Sequence, residues 1–353
     1  MNLNEFLKPH LAKREFKKSQ LGSRIQSWDR KGFRENSIYL LGVSNIKGKS
    51  QTVKSIRSEL YELFIFDSEL PIIDLGDVIS VEENDRDETI TEVMIHVEKT
   101  GSLLIILTEN QQDFTAFFNN QVVNEHDEYL FVTNLLHGVG GDVPLKLFQK
   151  KQIHLLSYLA IQSYFLDSNL LKKDKKPLIC RLGELRDDIH ETEPYFRMAT
   201  RAVFDLNAMR YSDFPIGKAQ NPNGLYAEEL CQLAWFAGNS ETLKSIALTG
   251  TPDKLASSLP GIKLVAQLIW HIISGRQLQQ HDLPHETSDT FTQYHIDNNK
   301  IPEELVVFKS RINGKHWLKY GNTTHFIPCT QNDMEALLQT KVSDRILEAI
   351  RMI

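Results

Sequence analysis

Ala202-Val203-Phe204-Asp205-Leu206-Asn207-Ala208-Met209-Arg210-Tyr211-Ser212-Asp213-Phe214-Pro215 is the most informative stretch of this 353-residue chain. Its apolar opening reads as a strand over 202–206, covered on both faces because apolar residues run on without alternation. The run ends in two polar side chains, Asp205 and Asn207, which the two-residue period of an extended chain points to one side. A loop with Asn221-Pro222-Asn223-Gly224 follows, and then a helix with Glu228 and Glu229 in its first turn. A buried strand that runs into a polar loop and a helix is the repeating unit of a parallel sheet. Such sheets place ligands at the carboxyl ends of their strands.

The same alternation extends in both directions. Strands are expected over 38–43, 71–75, 103–108, 129–134, 155–161, 178–182 and 243–248, besides 202–206. Helical patterns lie between them over 53–64, 87–99, 113–121 and 226–237. One long helix is expected over 255–273, with Pro260-Gly261 marking a break near its start. Residues 277–290 are polar and read as a loop. Residues 304–309 and 315–320 then alternate like a hairpin turned at Asn313-Gly314, and a last helix is expected over 332–350. The fold class is therefore α/β, three layers α/β/α around a parallel sheet, with a small hairpin-and-helix extension. The expected division is a basic arm over 1–36, the α/β domain over 37–276, a linker over 277–303, and an extension over 304–353 that packs on the domain.

Composition excludes several classes. Forty Lys and Arg against 46 Asp and Glu leave a net charge of −6, which argues against a nucleic-acid partner. The longest apolar run is strand-sized, which argues against a membrane span, and residues 8–34 carry Lys and Arg without the apolar core of a signal peptide. Cys180, Cys231 and Cys329 are far apart and form no ligand pair, as expected of a cytoplasmic protein without disulfides. Gly42-Val43-Ser44-Asn45-Ile46-Lys47-Gly48-Lys49-Ser50 stands where a phosphate loop belongs, between a strand and a helix. Its glycines are one residue too far apart, and Val43 stands where glycine is required, so it reads as an ordinary connection. Gly140-Gly141-Asp142 is a common turn former, and His137 before it is a lone loop histidine.

The strand at 202–206 with its Ser212-Asp213-Phe214-Pro215 and Asn221-Pro222-Asn223-Gly224-Leu225 continuation resembles the ureohydrolase superfamily of arginase, agmatinase and formimidoylglutamase. The likeness is greatest to formimidoylglutamase-like members. Leu40-Leu41-Gly42-Val43, Ile56-Arg57, Asp74-Leu75-Gly76-Asp77 and Ala160-Ile161-Gln162 fall in the order of that family's other motifs, and the tail beyond Glu304 resembles an extension of some bacterial members. The resemblance implies an arginase-like fold, a homo-oligomer, and two manganese ions held by histidines and aspartates that generate a hydroxide for attack on an amidine carbon.

Placed residue by residue, the resemblance exposes a degenerate ligand set. Gln111 stands for the first histidine, in Thr108-Glu109-Asn110-Gln111. Asn134-Leu135-Leu136-His137-Gly138 replaces the aspartate–histidine motif, keeping neither carboxylate. Asp205 remains, Asn207 replaces its partner, and Thr249 stands for a late glutamate. Two divalent cations in close contact repel strongly, and one carboxylate among neutral amides does not offset that repulsion. The sequence thus reads as a ureohydrolase scaffold that has lost its dimanganese site, binds no cofactor, and serves as a scaffold or interaction protein with a possible protein partner. Two alternatives stay open. Glu109, Gln111, Asn134, His137, Asp205, Asn207 and Thr249 together suit a sensor for guanidino or formimino compounds. A rebuilt manganese site from Asp205 and His137, with Glu109 and Asp113, would support a residual amidine hydrolase.

Overall fold

The computed structural model describes residues 2–10, 15–43, 51–65, 69–79, 82–109, 116–118, 126–166, 176–216, 220–250, 253–285, 289–298 and 300–352. Among the described residues ten strands form the main sheet: β1 (Leu7–Lys8), β2 (Ile25–Ser27), β3 (Ile38–Val43), β4 (Ile72–Val78), β5 (Leu103–Thr108), β6 (Glu128–Val132), β7 (Leu155–Ile161), β8 (Leu178–Arg181), β9 (Arg201–Asp205) and β10 (Ser245–Thr249). Their order is β1-β4-β3-β5-β10-β9-β6-β7-β8, with β2 also paired to β4. β1 is antiparallel to β4, and every other pairing in this sheet is parallel. Each of the eight expected strands is present, with ends displaced by a few residues.

The helices are α1 (Leu3–Phe6), α2 (Gln51–Glu62), α3 (Glu83–Glu98), α4 (Val143–Gln149), α5 (Leu182–Asp187), α6 (Glu193–Met198), α7 (Ala227–Gly238), α8 (Leu259–Gln277), α9 (Gln331–Leu338) and α10 (Asp344–Met352). Continuous apolar strands feed two cores, because successive side chains alternate between faces. Ile38 and Leu40 of β3 join α2, α7 and α8 on one face, while Tyr39, Leu41 and Val43 join α3 and α4 on the other. This is the expected three-layer α/β/α arrangement. α7 and α8 cross at glycines. A Cβ on Gly238 would stand 2.0 Å from the Ile272 carbonyl oxygen, and one on Gly275 would stand 2.4 Å from that of Trp235.

The structure corrects several boundaries. The stretch expected as a basic arm contributes β1 and β2 to the sheet, with Leu7 and Leu21 fully buried. Strands of two or three residues carry too little periodicity to be seen in a sequence. Within the expected linker, β11 (Phe291–Ile296) is a strand, and it pairs with β12 (Leu305–Ser310), β13 (His316–Tyr320) and β14 (Phe326–Cys329) in a second, antiparallel sheet. The expected hairpin is its β12–β13 pair. The single last helix is two helices, parted where Thr340 takes φ +57°. The break expected near Pro260-Gly261 falls at Ser258, whose hydroxyl accepts from the Gly261 N–H at the start of α8. Residues 116–118 form one 3-10 turn, and the remainder of the helix expected over 113–121 lies outside the described residues, as do residues 44–50 of the loop after β3.

The second sheet shares a core with the first domain. Leu305, Val307, Leu318 and Ile327 pack with Met334 and Ile346 of α9 and α10, and with Leu155, Leu178 and Met198 of the main domain. Arg197 of α6 fastens the two, donating to the His316 carbonyl at 3.0 Å and the Cys329 carbonyl at 3.1 Å, with Glu193 at 2.8 Å and the Trp317 ring 4.7 Å from its guanidinium carbon. Among the described residues no helix is long and apolar enough to cross a membrane.

Candidate functional site

β5, β10, β9 and β6 lie side by side at the middle of the sheet, so their carboxyl ends bring Glu109, Thr249, Asp205 and Asn134 to one edge. Asp205 and Thr249 are paired residues of neighbouring strands. Asn134 follows β6 and accepts the Gln162 N–H on its backbone carbonyl. Glu109 is buried one residue beyond β5. Gln111 and Asp113 lie outside the described residues.

The chain leaves the strand at Asp205 rather than continuing it to Asn207. Asp205 caps a 3-10 turn over Leu206–Ala208, as a short carboxylate does when the following N–H groups lack partners. Its Oδ1 accepts from the Asn207 N–H at 3.0 Å and from Asn207 Nδ2 at 2.9 Å, and its Oδ2 accepts from Thr133 Oγ1 at 3.3 Å. Asn207 therefore folds back onto Asp205 instead of projecting beside it, which corrects the geometry expected from strand periodicity. Loop backbone closes over the pair. A Cβ on Gly138 would stand 3.5 Å from Asp205 Oδ2, and one on Gly250, at φ +83°, would stand 2.8 Å from Asn207 Nδ2.

Two buried side chains at this edge keep unused hydrogen-bonding capacity. Among the described residues Asn134 has no partner on Oδ1 or Nδ2, and Thr249 has none on Oγ1. Each such atom costs about 1–3 kcal/mol unless something else meets it. His137 is exposed and its Nδ1 lies 2.7 Å from Asp142, while the neighbouring Leu136 is buried. Among the described residues no group of three His, Cys, Asp or Glu side chains is placed to hold a metal ion. The partners of the Asp205 carboxylate include the Asn207 amide groups and the Thr133 hydroxyl, neutral dipoles rather than anions. Burial pushes the Cys180 and Cys329 thiols up to about 12 and Cys231 up to about 11, so none supplies a thiolate near neutral pH.

No known family's sequence model matches this chain, and no curated protein does. Solved structures do. Trypanosoma cruzi formiminoglutamase with Mn2+ superposes with a TM-score of 0.64 at 15% identity, covering 74% of this chain and 99% of its own. Formimidoylglutamase from Bacillus subtilis gives 0.60 at 18% identity, over 76% and 96%. Agmatine ureohydrolase of Thermoplasma volcanium gives 0.55 at 13% identity, over 74% and 95%. The chain has the ureohydrolase fold.

Within that ureohydrolase fold, two of the motif-like segments serve structure. Asp74-Leu75-Gly76-Asp77 ends β4 around the buried Arg57. The guanidinium donates to Asp74 at 2.8 and 3.1 Å and to the Gly76 carbonyl at 2.7 Å, and pairs with Asp77, while the Tyr61 hydroxyl donates to Asp74. Gln162 ties two loops, donating to the Asn223 carbonyl at 2.8 Å and accepting from the Tyr164 hydroxyl at 2.6 Å. Beside it a cavity of about 380 Å³ opens between Gln162, Tyr164, Arg181 and Arg186. Sequence reasoning missed Thr133, Arg181 and Arg186. Thr133 had a signal, a hydroxyl at a strand end between candidate ligands, whereas the arginines come from elements distant in sequence.

Proposed function

We propose that this chain uses the ureohydrolase fold without ureohydrolase chemistry, as a non-catalytic binding or scaffold protein. The observation that carries this reading is the state of Asp205. Both oxygens of the one carboxylate kept from the late-strand motif accept hydrogen bonds from Asn207 and Thr133. A cation there would displace those bonds and would find amide and hydroxyl dipoles where a dinuclear centre needs anions. Losing outer partners of metal ligands alone lowers affinity about 10–100-fold, and here the inner donors differ.

A second reading is favoured by Asn134 and Thr249. Their unpaired buried atoms suit a small polar ligand of the guanidino or formimino class at the same strand ends, which would make the protein a sensor. One set of measurements separates the readings. Purified full-length protein incubated with Mn2+ and then desalted is expected to hold no stoichiometric metal and to leave formimino and guanidino compounds intact. Stoichiometric manganese with amidine hydrolysis that disappears in Asp205→Ala would overturn the proposal. Thermal protection by one of these compounds, lost in Asn134→Leu, would select the sensor.

A further inference from the structure

At the opposite edge of the sheet, β6 opens with a carboxylate. Glu128 and its paired residue Leu155 start neighbouring parallel strands, and Leu155 packs toward the C-terminal sheet. Both line a cleft of about 200 Å³ between the main domain and that sheet, with Met198, Phe326, Ala349 and the rims His154 and His325. The Glu128 backbone bonds to Thr200, but its carboxylate meets no hydrogen-bond donor and no ion-pair partner among the described residues. Two other carboxylates near it are matched. Asp127 pairs with Arg201, and Glu193 with Arg197. Arg197 lines the cleft as well, but its guanidinium is committed to Glu193 and two carbonyl oxygens.

We infer that this cleft binds a small organic cation, a short alkylammonium whose nitrogen sits on the Glu128 carboxylate and whose alkyl body lies against Met198, Phe326 and Ala349. Leu155, Met198, Phe326, Ile327 and Ala349 beside one carboxyl group without a partner among the described residues select an occupant with one positive end and an apolar stem, the carboxyl giving up its proton as the cation binds. The cleft is smaller than the roughly 300–1,000 Å³ of sites for drug-sized ligands, which keeps the stem short. Burial pushes the Glu128 carboxyl up to about 8, reinforced by the Asp127 carboxylate. Asp127 is the charged group that acts on it, and His154, Arg197 and His325 are the other titratable groups lining the cleft. Because the carboxyl is protonated below about 8, cation binding takes up the charged form and releases a proton.

The site is separate from the strand-end reading, since Asp205 closes β9 at the other edge of the sheet. Isothermal titration of the full chain with n-butylammonium chloride, and with sodium n-butyrate as the anion of matched length, tests it. Saturable one-to-one heat is expected for the cation alone, with affinity rising about tenfold from pH 6 to 7 and about fivefold from pH 7 to 8 as the carboxyl ionises. Glu128→Gln is expected to weaken binding at least ~10-fold, and Asp205→Ala to leave it unchanged. Ala349→Phe, which fills the apolar end, is expected to weaken it as well and decides the matter if Glu128→Gln does not fold. Absence of saturable heat overturns the proposal. So does equal binding of butyrate, or full affinity in whichever variant folds.

Discussion

Arg57 shows how one side chain carries a disproportionate share of order. It is 1% exposed and faces two aspartates, a tyrosine hydroxyl and a carbonyl, so its charge is matched only while that cluster is intact. Replacing it with methionine leaves Asp74 buried without a countercharge, with the Tyr61 hydroxyl and the Gly76 N–H as its remaining donors. Urea unfolding is expected to show a loss of about 3–5 kcal/mol, with lysine failing to restore it because it lacks the planar fork. Glu128 works in the other direction. Its carboxyl is held up at about 8 in the folded chain against about 4.3 in an unfolded one. Between those values the folded state holds the extra proton, so this residue lowers stability as pH rises and has no effect below both. Glu128→Gln should therefore be more stable than the parent at pH 8, the difference closing toward pH 4 in parallel thermal melts. The sequence singled out Asp205 correctly as the end of a strand, but not its hydrogen bonds, because a capping turn and an extended continuation place the same residues two apart.

Helix crossings set the spacing of the outer layer. α7 and α8 touch through Gly238 and Gly275, where the carbonyls of Ile272 and Trp235 occupy the space of a side chain. Backbone carbonyls on a packed helix do not swing aside as a side-chain tip does. Gly238→Ala is expected to push the pair apart and cost about 1–3 kcal/mol by chemical denaturation, despite alanine's better helix propensity. Long elements such as β3, β5, β7, α7 and α8 were legible in the sequence from their apolar periodicity. β1, β2 and β11 were not, since two- and three-residue strands, and a strand with a mostly exposed middle, are held by their neighbours rather than by their own pattern.

Across the whole molecule, the C-terminal sheet completes a core. Leu155, Leu178 and Met198 are buried against Leu305, Leu318 and Ile346, and Arg197, Arg345 and Lys315 bridge to the surrounding carbonyls and carboxylates. Deleting residues after Lys300 exposes that apolar surface and leaves Arg197 without its carbonyl acceptors. A fall of several degrees in the melting temperature is expected, together with binding of a hydrophobic dye. A truncated chain that melts unchanged would show that the sheet packs without contributing stability.

What the amino-acid order determined by itself was local and periodic: apolar strands in a β-α alternation and the polar residues at their ends. Those follow from side-chain polarity and backbone geometry over a few residues. Only the tertiary structure decided that Asp205 is engaged by Asn207 and Thr133, that the Asn134 and Thr249 side chains find no partner among the described residues, and that the tail closes a cleft over Glu128. Each of these depends on elements up to about 200 residues apart in sequence meeting in space, and hydrogen bonds and burial exist only once they have met.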